Sequence, residues 1–315
     1  MKKVLLIGGA GFIGSNLVHH FLNDDNFDIY VIEPERANIE RLKDVAGQVT
    51  IIRADLKDIL YLNKIICDNK IDVVIHLVST LLPGSTLEDY QNEMNDLILP
   101  SMNVMRICSK LDVLFVYISS GGAVYGNSSS KTHKETDRLE PISYYGLSKY
   151  YMEQAVKFEH RCSGLRYLIL RPSNPYGHGQ NLYGRQGLIA VSIGKILKHE
   201  PITIWGDGSL IRDYIYIDDL CECIYELIIK DIINETINIG SGKGHSNKNI
   251  IDILEDIVGV SIDINFIEGR NVDVNSVVLN IDHLHSFLPF KIDKDIRKGI
   301  SIFYKSELEK HQKQV

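Results

Sequence analysis

The sequence predicts an α/β protein: a doubly wound parallel sheet followed by a smaller C-terminal α/β lobe. Three observations predict it. Short, almost wholly apolar runs such as Val4–Ile7 and Val113–Ile118 read as strands buried on both faces. They alternate with helical patterns as far as Arg171, as parallel strands joined by crossover helices require. The first run also leads straight into Gly8-Gly-Ala-Gly11-Phe12-Ile13-Gly14 and then the helical pattern Ser15–Asn23.

Taken in order, Val4–Ile7 is the first strand. Glycines at 8, 11 and 14 let the backbone turn tightly, approach a pyrophosphate and pack the helix on the strand. The helix N-terminus offers N–H groups and a positive dipole end to the phosphates. The second strand, Ile29–Ile32, ends at Glu33, about twenty residues after the glycines. A carboxylate there accepts hydrogen bonds from ribose hydroxyls and repels a 2′-phosphate, which favours NAD over NADP. Thr50–Arg53 is a strand leading into Ala54-Asp55-Leu56, and Asp58–Cys67 a helix. Asp72–His76, Val113–Ile118 and Leu165–Arg171 are strands, separated by helical stretches Leu87–Ser109 and Pro141–Arg161.

Beyond residue 172 the pattern loosens. Asn174–Tyr183 is polar and rich in Gly, Asn and Tyr, which predicts a functional loop. Helices are expected near Gly187–His199, Asp218–Ile229, Lys248–Val258 and Asp293–Lys310, and strands at Ile202–Trp205, Arg212–Ile217 and Thr236–Ile239. This gives a first domain over 1–172 and a lobe over 173–315, with the strand near 236–239 returning to the first domain.

Tyr145 and Lys149, four residues apart, share one face of their helix. An ammonium beside a phenol favours the phenolate, so a group with pKa ~10 becomes a usable base. Tyr144, Tyr150 and Tyr151 crowd the same helix, but only Tyr145 has a lysine one turn later.

Bulk properties exclude several classes. A net charge of −7 over 315 residues argues against nucleic-acid or anionic-membrane binding. No apolar run reaches the ~18 residues of a membrane span, and Val4–Ile7 is too short for a signal segment. The five cysteines are odd in number and scattered, which suits reduced thiols in a cytoplasm. Cys221 and Cys223 point to opposite sides of a helix and the histidines lack ligand spacing, so no metal is expected.

The chain resembles, over nearly its whole length, the extended short-chain dehydrogenase/reductase family, and within it UDP-glucose 4-epimerase-like enzymes. The matching pieces are Gly8–Gly14, Asp55-Leu56, His76-Leu77, Ser119-Ser-Gly-Gly-Ala-Val-Tyr-Gly126, Tyr145–Lys149 and Arg171-Pro-Ser-Asn174-Pro-Tyr-Gly177. Trp205-Gly-Asp-Gly-Ser, Arg212-Asp-Tyr-Ile-Tyr and Gly269-Arg270-Asn-Val-Asp273 extend the match. The resemblance implies a Rossmann domain that binds NAD through Gly8, Gly11, Phe12, Ile13, Gly14, Glu33, Asp55, Leu56 and Leu77. Tyr145 would be the acid/base, with Lys149 as its partner on the nicotinamide ribose. Asn174, Arg212, Arg270 and Asp273 would hold the nucleotide diphosphate and ribose of a UDP- or dTDP-hexose. The implied activity is 4-epimerisation; a reductase of a 4-keto-6-deoxy nucleotide sugar and a non-catalytic nucleotide-sugar-binding protein are the alternatives. The resemblance also implies a homodimer, joined through helices over Leu97–Leu111 and Ser143–Arg161, working in polysaccharide biosynthesis.

One position departs from the family. A Ser or Thr usually stands where this chain has Gly121. Ser120 is adjacent and is the candidate replacement, although strand alternation would turn it to the opposite face. Ser119 would share the face but lie one pleat back, about 6–7 Å away.

Overall fold

The structure is a computed structural model describing residues 1–127, 132–269, 274–289 and 293–313. Its first elements are β1 (Lys2–Ile7), α1 (Phe12–Phe21), β2 (Phe27–Glu33), a 3-10 turn (Glu40–Val45), β3 (Thr50–Arg53), α2 (Ile59–Asp68) and β4 (Val73–His76). There follow α3 (Leu87–Glu93), a π turn (Met94–Ile98), α4 (Leu99–Lys110), β5 (Leu114–Ile118), α5 (Gly121–Val124), α6 (Tyr144–Ser163) and β6 (Tyr167–Pro172). Next come β7 (Asn174–Tyr176), α7 (Leu188–Leu197), β8 (Ile202–Trp205), β9 (Ile211–Tyr216), α8 (Ile217–Ile229) and β10 (Glu235–Ile239). The last are β11 (Gly244–Ser246), α9 (Asn247–Val258), β12 (Ile264–Ile267), β13 (Ser276–Val277), α10 (Asp282–Phe287) and α11 (Ile296–Gln312).

The chain packs as two units. The first comprises Met1–Ser120, Ser143–Arg171 and Cys221–Ile237; the second comprises Gly121–Ile142, Pro172–Leu220 and Asn238–Val315. The first is built on a seven-stranded sheet in the order β10-β6-β5-β4-β1-β2-β3. From β6 to β3 every neighbouring pair is parallel. Strand order reverses on either side of β1, so the carboxyl ends of β1 and β4 flank the point where crossovers depart in opposite directions. The strands are apolar throughout because helices cover both faces; Leu5, Val74, Phe115 and Ile169 are buried with Val104, Met105, Met152 and Val156 from α4 and α6.

The second unit carries short strands. β11, β9 and β13 form one ladder with β7 joined to β9, and β12 pairs with β8. Val124, Tyr125, Val274, Val277 and Leu279 form a separate small core. Asn174–Tyr176, expected from sequence to open a loop, is instead strand, because it pairs in parallel with Tyr214–Tyr216 of β9. No helix among the described residues is long and apolar enough to cross a membrane.

Two polar clusters are buried in the first unit. Arg171 on β6 donates to Glu153 on α6 through Nε (2.9 Å) and Nη2 (2.6 Å), and Ser119 donates to the same carboxylate at 2.6 Å. At the end of β4, the Nε2 of His76 lies 2.8 Å from the Ser101 hydroxyl, which itself donates to Leu97 O. The histidine is therefore the donor, and neutral. Burial, aided by the Lys149 ammonium, pushes it down from 6.5 to about 3.

Removing one member of the buried ion pair leaves the other as an uncompensated buried charge. Arg171→Leu should lower unfolding free energy by about 3–5 kcal/mol in urea titrations. A loss below 1 kcal/mol would contradict this. His76 binds a proton only when unfolded between pH 6.5 and about 3, so the stability it confers above 6.5 is lost as pH falls through that window. The loss is about 1.4 kcal/mol per pH unit. His76→Gln should flatten the fall in urea midpoint between pH 7 and pH 5; an unchanged fall would refute the assignment.

Candidate active site

The site in the first unit starts where β1 meets α1. Gly8 has φ +84°, and a Cβ there would lie 2.6 Å from Val78 Cγ2. A Cβ on Gly14 would lie 2.7 Å from both Gly8 O and Gly9 Cα, so helix and turn touch backbone to backbone. Gly11 occupies the N-cap of α1 and no side chain caps that helix, which leaves its first-turn N–H groups, around Phe12 and Ile13, available for phosphate. Glu33 ends β2, buried, and accepts the Ala10 N–H at 2.6 Å. Burial pushes its carboxyl up, against the Ala10 hydrogen bond and the Arg53 charge. Glu33 thus also braces the glycine turn, which spacing alone does not predict. Asp55 accepts the Lys57 N–H at 2.9 Å, Leu56 packs on the core, and Leu77 donates its N–H to Ile7 O at 3.0 Å. An uncapped helix start, a turn with no room for side chains and an acid at the next strand end fit a dinucleotide such as NAD.

The chemistry-bearing residues sit on α6 and at the end of β5. Ser143 caps α6 by accepting the Gly146 N–H at 3.1 Å, which fixes the first turn that carries Tyr145. Lys149, 4 % exposed, donates to Ile118 O at 3.0 Å and lies 5.9 Å from the Tyr145 ring centroid. The Ser120 hydroxyl hydrogen-bonds Tyr145. Strand alternation does not govern this contact, because β5 ends at Ile118 and a helical turn begins at Gly121. Ser119, by contrast, is spent on Glu153.

Sequence alone predicts that Lys149 pulls the Tyr145 phenol down. With the protein groups in place, burial wins: the phenol is raised above 10, opposed by the Ser120 hydrogen bond and reinforced by the Glu93 charge. Lys149 is itself pushed down to about 8 by burial, with Glu93 and Glu153 opposing. Glu93, buried on α3, has no counterpart in the sequence reading; an acid in a helical stretch looks like any solvated surface residue.

In the second unit, Asn174 on β7 donates its amide to Asp213 O at 2.8 Å. Arg212 on β9 is half-buried and donates to Ile211 O at 2.8 Å. Its neighbour Asp213 accepts N–H groups from Ser241 (2.8 Å), Gly242 (3.1 Å) and Leu279 (3.2 Å), and Asp219 is bonded by Lys294. These acids serve to hold loops together. Arg270 and Asp273 lie outside the described residues. Among the described residues, no group of three His, Cys, Asp or Glu could hold a metal ion.

Comparison with known proteins agrees with this geometry. A putative UDP-glucose 4-epimerase of Methanocaldococcus jannaschii is 32 % identical over 94 % of this chain and 95 % of its own. A dTDP-4-dehydro-6-deoxyglucose reductase of Escherichia coli is 29 % identical over 96 % of both. Among solved structures, the Thermotoga maritima UDP-glucose 4-epimerase with UDP-glucose superposes with a TM-score of 0.90 at 27 % identity, covering 98 % of this chain and 99 % of that one. Residues 4–240, from within β1 to just past the end of β10, match the pattern described as the NAD dependent epimerase/dehydratase family, to which the chain belongs.

Proposed function

We propose that the chain is an NAD-dependent nucleotide-sugar 4-epimerase that acts on a UDP-hexose or related sugar by transient oxidation at C4. The observation that carries this reading is Tyr145, hydrogen-bonded by Ser120 and one helical turn from the buried Lys149 ammonium. NAD, when bound, supplies a reversible two-electron acceptor, so C4 is oxidised and reduced again with no net consumption. Tyr145, as the phenolate, takes the proton of the sugar 4-hydroxyl and later returns it; Ser120 donates to that phenolate before the proton is taken and after it is returned, and Lys149 supplies opposite charge. Asn174, Arg212, Arg270 and Asp273 are assigned to the nucleotide diphosphate and ribose. Arginine's fixed charge and forked donors suit a diphosphate that must stay bound while the hexose turns over.

A reductase of a 4-keto-6-deoxy nucleotide sugar is the second reading. Gly121 supplies no hydroxyl, and the similarity to the Escherichia coli reductase favours keeping it. The assembly we assign is a homodimer through α4 and α6, supported by Leu99 and Phe158, 50 % and 48 % exposed on those helices. A cytoplasmic location is supported by five free thiols, and polysaccharide biosynthesis is the setting the family resemblance supports.

The deciding experiment incubates the protein with UDP- and dTDP-hexoses, without added cofactor, and follows products by NMR. C4 epimers should interconvert with no net NADH; turnover only with NAD(P)H and a 4-keto sugar would replace this reading with the reductase. Tyr145→Phe should cut turnover by about 10²–10⁴-fold while bound NAD stays near the parent level. Retained turnover discards Tyr145 as the base. Sedimentation equilibrium at monomer mass across concentrations would refute the dimer.

A further inference from the structure

Glu93 is the last residue of α3, followed at once by the π turn Met94–Ile98. Pro100, at the start of α4, has no N–H to continue a regular ladder, which accounts for the widened turn preceding it. Glu93 is 2 % exposed. Its Oε2 accepts the Thr80 N–H at 2.7 Å and the Thr80 hydroxyl, and its Oε1 accepts the Ser148 hydroxyl. All three donors are neutral. A buried carboxylate without a bonded cation is costly, so its retention calls for a reason beyond packing.

The residues it joins supply one. Thr80 belongs to the segment after β4, and that segment lies on the glycine turn, where Val78 fills the space a Gly8 side chain would take. Ser148 immediately precedes Lys149. We infer that Glu93 is a positioning residue whose carboxylate ties the segment after β4 to the Tyr145/Lys149 helix and opposes the Lys149 ammonium with a fixed negative charge. This rests on Tyr145 and Lys149 being the reacting pair.

The other charged and titratable groups facing this interior are Glu153 on α6, Arg171 on β6, Tyr117 on β5, neutral His76 on β4 and Tyr90 on α3. Arg171 is matched by Glu153 in a two-point contact, which leaves Glu93 as the carboxylate set against Lys149. Its charge favours the ammonium of Lys149 and disfavours the phenolates of Tyr145 and Tyr117. Loss of that charge therefore moves both members of the reacting pair the same way, toward losing their protons at lower pH.

The test is the pH profile of kcat/KM for C4 interconversion by the holoenzyme. Glu93→Gln keeps the shape and the acceptor for Thr80, and should move both limbs to lower pH by about one unit. Glu93→Asp keeps the charge and should restore the parent limbs with lower kcat. A Glu93→Gln profile that only loses height, its limbs unmoved, overturns the inference. Thr80→Val keeps the charge and removes one donor; it should raise the Kd for NAD by about three- to tenfold, read by titration without turnover. An unchanged Kd overturns the tie to the segment after β4, and this arm stands even where Glu93→Gln fails to fold. Activity retained by Tyr145→Phe would instead sink the assignment of the reacting pair. Tyr145→Phe inactive, with Glu93→Gln limbs unmoved, would sink this inference alone.

Discussion

The reversal of strand order beside β1 is the constraint on which the first unit depends. Crossovers leave β1 toward β2 and β4 toward β5 in opposite directions, so a crevice opens at the carboxyl ends of β1 and β4. The chain must still turn from β1 into α1 at that opening without filling it. Gly8 and Gly14 meet that demand, one with a left-handed backbone angle and the other with a helix start in contact with the turn's own backbone. Glu33, at the end of the next strand, holds the turn through Ala10. The opening that admits a dinucleotide is thus fixed before any ligand-specific contact is considered.

Behind the opening lies a set of buried ionisable groups that the apolar sheet tolerates only in combination. Arg171 and Glu153 satisfy each other and take up Ser119, which tethers β6 and the end of β5 to α6. Lys149 is held by a backbone carbonyl rather than a carboxylate. It therefore remains a mobile term in the electrostatics, down at about 8, where a fully paired lysine would stay near its ordinary value. His76, neutral throughout the physiological range, adds no competing charge. The division of labour is physical: groups paired two-to-two build the scaffold, and groups held by neutral partners stay responsive.

Legibility of the fold followed the strength of local patterning. β1, β2, β4 and β5 were readable because burial on both faces demands an unbroken apolar run, and α6 because it fills the crossover expected between β5 and β6. The strand Asn174–Tyr176 was not, since an Asn-Pro-Tyr stretch becomes strand only through pairing with β9. Tyr145 and Lys149 were legible as a pair, yet the direction of the Tyr145 shift was not, because burial is a tertiary quantity. Glu93 left no trace in the pattern at all. Its carboxylate is distinguished from the exposed acids only by what surrounds it.

The absence of a hydroxyl at Gly121 bears on chemistry through geometry rather than through sequence register. Once β5 stops at Ile118 and a helical turn starts at Gly121, the next two side chains no longer alternate across a sheet. Ser119 goes inward to Glu153, and Ser120 goes to Tyr145. A hydroxyl bonded to the tyrosine oxygen donates most strongly when that oxygen is ionised, because hydrogen bonds to charged acceptors are roughly twice as strong as neutral ones. Ser120 therefore stabilises the phenolate selectively, in a setting where burial disfavours it. The end of the strand thus leaves a hydroxyl at the base one residue before Gly121.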